Sequence, residues 1–189
     1  NPEETKYNAR TGFVIDYDNT DILYAAGYYA TEDYQYRATI FKTIDGGINW
    51  DVIFLGPELS YATTNAVAID PQNPTTLYAV AYAYQNNDPI YLVVKTTDGW
   101  ESWDNITGSV NIKPDDILID RSDPSRLYIP TSQKAFRSTD YGASWTRAQQ
   151  SNFSPNIVID PQNPQYLYGA GANLWSRSTN YGINWLTTF

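Results

Sequence analysis

The chain has 189 residues and contains no Cys, no His and no Met. Proton transfer or nucleophilic attack would therefore fall to carboxylates, tyrosines or a perturbed lysine. Thiolate chemistry, zinc ribbons, His-based triads and HExxH sites are excluded. The acids eligible on the face that collects the loops of variable length are Glu32, Asp33, Glu58, Asp88, Asp115 and Asp116. Paired carboxyls could hydrolyse a glycoside, with retention at a separation of about 5–5.5 Å or inversion at about 6.5–9.5 Å. Tyrosines share these segments: Tyr28, Tyr29, Tyr34 and Tyr36 in one, Tyr61 in another, Tyr82 and Tyr84 in a third. Phenol rings stack on sugar faces while carboxylates and amides accept from hydroxyls. Tyr34, Tyr36, Tyr84, Glu32, Asp33 and Asp88 are accordingly the candidate ligand-binding residues.

The charge balance narrows the partners. Lys and Arg total 12 against 21 Asp and Glu, a formal charge of −9. Such a chain repels phosphate backbones, so no nucleic-acid partner is expected. No apolar run approaches the roughly 18 residues of a membrane helix. With 17 Tyr, 6 Trp and 6 Phe the composition suits strands with amphipathic aromatic surfaces. No cofactor is expected; calcium is the alternative, held by Asp33, Asp88, Asp115 and Asp116 with backbone carbonyls, though no EF-hand spacing exists. Two glycosylation triplets begin at Asn105 and Asn152. A chain beginning at Asn1 reads as a processed secreted protein or an excised fragment.

The elements that position these residues come in repeats. FVIDYDNTDILYAA, VAIDPQNPTTLYAV, ILIDRSDPSRLYIP and IVIDPQNPQYLYGA place Asp16, Asp70, Asp120 and Asp160 eight residues before Tyr24, Tyr78, Tyr128 and Tyr168. KTIDGGINW, KTTDGWESW, RSTDYGASW and RSTNYGINW end on Trp50, Trp103, Trp145 and Trp185. Each unit reads as four short strands with prolines confined to the connections, and no stretch keeps a helical period. In the second unit the strands are NAVAI, TLYAVAYA, PIYLVVKT and one starting at Ser102-Trp103. Four-stranded units repeating every 40 to 54 residues mark an all-β propeller. The whole chain, 1–189, is expected to be one propeller-type domain with blades at about 10–57, 62–110, 115–150 and 154–189.

The second signature resembles the Asp-box, or BNR repeat, S/T-x-D-x-G-x-x-W. Thr43, Asp45, Gly47 and Trp50 match it, as do Ser138, Asp140, Gly142 and Trp145. The fourth copy has Asn180 for the Asp but keeps Trp185; the second keeps Asp98 and Trp103 but has Trp100 for the Gly. Together with IDPxNPxxLYA, the pattern is similar to xyloglucanase-like, sortilin-like and photosystem-assembly-factor propellers. Apart from the resemblance, the Asp suits hydrogen bonds to its own turn, the Gly a positive φ, and the Trp burial between strands. Trp50, Trp145 and Trp185 are expected to be buried in near-equivalent settings. Four near-identical copies argue for a structural device, since one active site needs one copy.

In an antiparallel unit the Asp-Pro turns and the boxes must lie at the same end. Asp-to-Tyr spacing is fixed at eight, whereas Tyr-to-Trp is 26, 25, 17 and 17, and Trp to the next Asp is 20, 17 and 15. The variable loops thus collect at the opposite end, where function is expected. The xyloglucanase resemblance implies Asp115 or Asp116 as the catalytic acid, though neither matches a family motif residue by residue. A sialidase reading lacks its FRIP-like segment and its arginine triad. The preferred expectation is a non-catalytic binding or scaffold propeller on an extracellular or cell surface, presenting the loops to carbohydrate or a protein. The alternative is a glycoside hydrolase fragment. Four blades with no latch strand imply another chain, or further blades, completing the ring.

Overall fold

The structure, a computed structural model, describes residues 7–148, 156–171 and 174–188. All regular structure among them is strand, in four antiparallel sheets of four consecutive strands. The first sheet holds β1 (Tyr7–Ile15), β2 (Leu23–Ala30), β3 (Tyr36–Thr43) and β4 (Asp51–Phe54). The second holds β5 (Tyr61–Ile69), β6 (Leu77–Gln85), β7 (Asp88–Thr96) and β8 (Asp104–Asn105). The third holds β9 (Leu118–Ile119), β10 (Leu127–Pro130), β11 (Ala135–Ser138) and β12 (Thr146–Arg147). The fourth holds β13 (Asn156–Ile159), β14 (Leu167–Gly171), β15 (Leu174–Ser178) and β16 (Leu186–Thr188). Two compact units result: residues 1–105 with the first two sheets, and 106–189 with the last two.

The turns at one end of each sheet explain the repeat. Asp16, Asp70, Asp120 and Asp160 each accept the N–H groups two and three residues ahead on one carboxylate oxygen, at 2.8–3.4 Å. This oxygen supplies an acceptor for amides that the turn takes out of the ladder. Between the third and fourth strands a second device recurs. The hydroxyls of Thr43, Thr96 and Ser138 donate to Asp45, Asp98 and Asp140 at 2.7 Å, and that of Ser178 to Asn180 at 3.1 Å. Each of those acids, and Asn180, accepts the N–H four residues on at 2.9–3.0 Å.

The two turns are joined by one backbone bond in every sheet. Gly46, Gly99, Tyr141 and Tyr181 donate N–H to Asp21, Thr75, Ser125 and Gln165, at 2.9–3.0 Å. Hence both turns occupy the same end. The hydrogen bonds also set the acidity. The Asn49 N–H, then the Thr43 hydroxyl, hold Asp45 down to about 2, and the Ser102 hydroxyl and N–H do the same for Asp98. Gly47, Gly142 and Gly182 take φ of 94°, 85° and 76° at the position where the second sheet has Trp100 at 74°. A left-handed non-glycine residue costs about 1–2 kcal/mol; burying the indole in the first unit's core offsets it.

The tryptophans differ from expectation. Trp145 and Trp185 are 7% and 6% exposed, whereas Trp50 is 38% exposed. The Trp145 indole donates to Ile106 O at 2.8 Å, and Trp185 packs among Tyr128, Ala148, Ile157 and Leu167. Trp50 bonds its own turn at Gly47 O and meets the ring of Phe13, itself exposed, edge-on. Residues outside the tryptophan's own sheet, or in the segment leading to it, cover Trp145 and Trp185.

Trp145→Ala should therefore cost about 3–5 kcal/mol in urea unfolding, as large aromatic truncations do, and Trp50→Ala distinctly less. Asp45 and Asp98 are depressed, so their stabilisation is present above the ordinary carboxylate value and lost as pH falls from about 4 to 2. Asp98→Asn, which reproduces the acceptor that Asn180 provides, should fold and show a shallower loss of urea midpoint over that window.

Candidate functional site

The end opposite these turns carries a run of phenols in the unit formed by residues 1–105. Tyr28 of β2 meets Tyr36 of β3 edge-on at 5.5 Å between ring centroids. Tyr36 meets Tyr61 of β5 at 5.9 Å, and Tyr61 meets Tyr82 and Tyr84 of β6 at 5.9 and 6.2 Å. Tyr82 lies 5.0 Å from Tyr84 and stacks on Tyr91 of β7 at 5.9 Å, with 18° between the planes. Six tyrosines thus touch in sequence from the first sheet to the second.

Register explains the grouping. Tyr61 pairs with Tyr84, and Tyr82 with Tyr91, directly across neighbouring strands, where Cβ atoms approach closely. Tyr82 and Tyr84 are two apart and share a face. From the sequence, the strands TLYAVAYA and PIYLVVKT leave residues 84–88 as a loop; instead β6 and β7 run on to Gln85 and Asp88, leaving the two-residue turn Asn86-Asn87. Both turn residues have positive φ, 52° and 69°, the conformation of a tight type I′ hairpin. Tyr91, passed over as a strand residue, belongs to the group for this reason. The alternation of Tyr82 and Tyr84 and the Asn-Asn pair were the signals that could have found it.

The connection between sheets one and two is tied to β3 here. Tyr36 N–H donates to Leu59 O at 2.7 Å and Leu59 N–H returns to Tyr36 O at 2.8 Å, while Arg37 Nε donates to Gly56 O. These bonds fix Tyr36 beside Tyr61. Burial comes first, then the Tyr84 hydroxyl and the neighbouring phenols, in raising Tyr82 to about 12. The group presents uncharged rings rimmed by hydroxyls.

The candidate residues fall in four places. Tyr36 and Tyr84 are in the ring group. Glu32, Asp33 and Tyr34 ride an exposed turn closed by Thr31 N–H to Gln35 O at 2.8 Å; Tyr34 is 79% exposed and lies outside the group. Asp88 is exposed at the start of β7, paired with Gln85. Asp115 and Asp116 belong to the other unit, before β9. Asp115 N–H donates to Pro130 O at 3.0 Å, and Asp116 accepts the Ile117 N–H at 2.7 Å. Burial raises both acids, and the charge of Asp115 further raises Asp116. No group of three or more metal-ligating side chains occurs among the described residues. Asn152 lies outside the described residues.

Tyr82 is raised, so its neutral form contributes stability that is complete below the ordinary phenol value of about 10 and lost as pH rises to about 12. Urea midpoints measured from pH 9 to 12 should fall less steeply in Tyr82→Phe than in the wild-type chain.

No family profile matches the chain. Over an alignment of 106 positions that covers 49% of the chain, the identity to Xyloglucanase Xgh74A of Acetivibrio thermocellus is 29%, and 12% of that protein is covered. Among solved structures, an ancestral GH74 enzyme superposes with a TM-score of 0.66 at 19% identity, over 96% of this chain and 25% of that one. YCF48 bound to D1 peptide gives 0.66 at 18% identity, over 97% and 55%. The chain thus spans about half the length of one solved relative and a quarter or less of the others. No helix among the described residues is long and apolar enough to cross a membrane. At these identities the likeness establishes architecture, and the architecture is that of a β-propeller built from four-stranded antiparallel blades.

Proposed function

We propose that this chain is a carbohydrate-binding propeller module of an extracellular or cell-surface protein, and that Tyr28, Tyr36, Tyr61, Tyr82, Tyr84 and Tyr91 form its sugar platform. The carrying observation is the unbroken contact of the six rings. Neutral rings edged by hydroxyls offer stacking surface and hydrogen bonds together, the combination a glycan face requires. Exposed Asp88, and Glu32 and Asp33 on their turn, would take peripheral hydroxyls. The partial likeness to a xyloglucanase supports a β-glucan as the ligand. The Thr/Ser-x-Asp/Asn turns are read as Asp-boxes with a structural role, because their oxygens are committed to backbone N–H groups.

Titration calorimetry with xyloglucan and cello-oligosaccharides tests the platform. Tyr84→Ala should weaken binding about tenfold, some 1.4 kcal/mol, with the thermal midpoint nearly unchanged because Tyr84 is partly exposed. Binding that is indifferent to Tyr84, Tyr36 and Tyr91 would refute it.

A hydrolase reading has one observation of its own: Asp115 and Asp116 are both pushed towards the protonated form, as a general acid requires. Release of reducing sugar from xyloglucan by the wild-type chain, abolished in Asp116→Asn, would replace the binding reading. Absence of turnover, with binding retained in that variant, would uphold it.

A further inference from the structure

Inside the unit of residues 106–189, a cavity of about 160 Å³ is lined by Arg137, Thr146, Arg147, Ala148, Gly182 and Ile183. The first four belong to the third sheet, the last two to the turn before β16. Counted from the turn tryptophans, their counterparts in residues 1–105 are Lys42, Asp51, Val52, Ile53, Trp100 and Glu101. There the Trp100 indole is 4% exposed, in the core that Ile53 packs against. Gly182 for that indole, and Ala148 for Ile53, leave the corresponding place open.

The substitutions also reverse its charge. Asp51 and Glu101 give way to Thr146 and Ile183, and Arg147 stands where Val52 does. The cation at the first position is released as well. Lys42 Nζ donates to Gly99 O at 3.0 Å, whereas the equivalent carbonyl, Tyr181 O, takes the Tyr128 hydroxyl at 3.3 Å. Arg137 pairs across the strands with Tyr128 and lies beside its hydroxyl. Its Nε is buried and has no hydrogen-bond partner, a state that native folds avoid unless an acceptor arrives from outside.

Nothing else in the lining competes for that acceptor. The N–H groups of Ala148, Gly182 and Ile183 go to Ala135 O, Ser178 Oγ and Asn180 O, and the Thr146 hydroxyl to Arg137 O. Among the described residues the ion pairs are those of Lys113 and Arg126, so no carboxylate sits on Arg137 or Arg147. Arg147 is exposed on the outermost strand β12 and adds positive charge at the rim.

We propose that this cleft binds a small organic acid, its carboxylate on Arg137 with the charge of Arg147 behind it, and its carbon body against Ala148 and Ile183. A guanidinium presents parallel donors that match the two oxygens of a carboxylate. The cavity admits a molecule about the size of one sugar ring, and a chain of formal charge −9 repels polyanions. The site is separate from the tyrosine group, which belongs to the other unit.

Titration calorimetry with glucuronate, and with sulfate at equal ionic strength, tests it. Glucuronate should bind the wild-type chain, and sulfate more weakly. Arg137→Gln should weaken glucuronate about tenfold. So should Ile183→Glu, which restores the acid of Glu101 at a position 48% exposed. Tyr84→Ala should leave it unchanged, which separates this cleft from the sugar platform. Circular dichroism checks folding; if Arg137→Gln is unfolded, Thr146→Asp, at an exposed position, replaces it. No glucuronate binding, binding indifferent to these cleft variants, sulfate binding as tightly, or loss in Tyr84→Ala overturns the proposal.

Discussion

A four-stranded sheet buried on both faces is the constraint on which most of this chain depends. Its inner strands can carry few polar side chains and few large ones, because neighbouring sheets stack about 10 Å apart. The sequence complies with alanine: Ala25 and Ala26 in β2 and Ala79, Ala81 and Ala83 in β6 are all buried, and Leu77–Ala81 has no exposed face. The polar side chains buried within the strands, among them Thr39, Thr63, Thr64 and Ser176, are small hydroxyls. One end of each sheet takes the turns that must be satisfied internally, and the other is left for loops and aromatics.

Much of this was readable in the sequence, for a physical reason. The turn devices act within five residues, so Asp16 and its three counterparts, and the Thr/Ser-x-Asp/Asn signatures, recur wherever their geometry recurs. Fixed spacing from Asp to Tyr also placed both turns at one end, and the bond from Gly46 N–H to Asp21 O shows them joined there. Less was readable at the other end. Which tyrosines touch depends on strand register, and register across β6 and β7 follows from a two-residue Asn86-Asn87 turn inside a stretch that read as a loop. Tyr34 looked like Tyr36 by type and place, yet two residues separate a ring on a turn from a ring in the group. Trp50 shows a further limit: its signature matches that of Trp145, and its exposure depends on what lies against its sheet, which no local motif encodes.

The acids divide along the same lines. Asp45, Asp98 and Asp140 are held below the usual carboxylate range by donors of their own turns, so they are charged and already engaged. Asp115 and Asp116 are displaced the other way by burial, and they belong to a different unit from the tyrosines. In an acidic chain without histidine, opposite shifts of this kind separate carboxylates engaged by donors of their own turns from carboxylates raised by burial. Arg126 shows the same economy among cations: it reaches Asp120 at 2.9 Å and Asp123 at 2.8 Å, and lies over the Tyr181 ring at 4.2 Å.

The unequal covering of the indoles also gives the protein an optical asymmetry. Of its six tryptophans, Trp100, Trp145 and Trp185 sit in apolar surroundings and emit towards the blue, while Trp50 and Trp175 meet water and emit towards the red. A dissolved quencher reaches those two first. They belong to the first and the fourth sheet, one in each unit, so the red edge of the fluorescence spectrum reports on those two sheets and the blue edge on buried indoles, without any dye being attached.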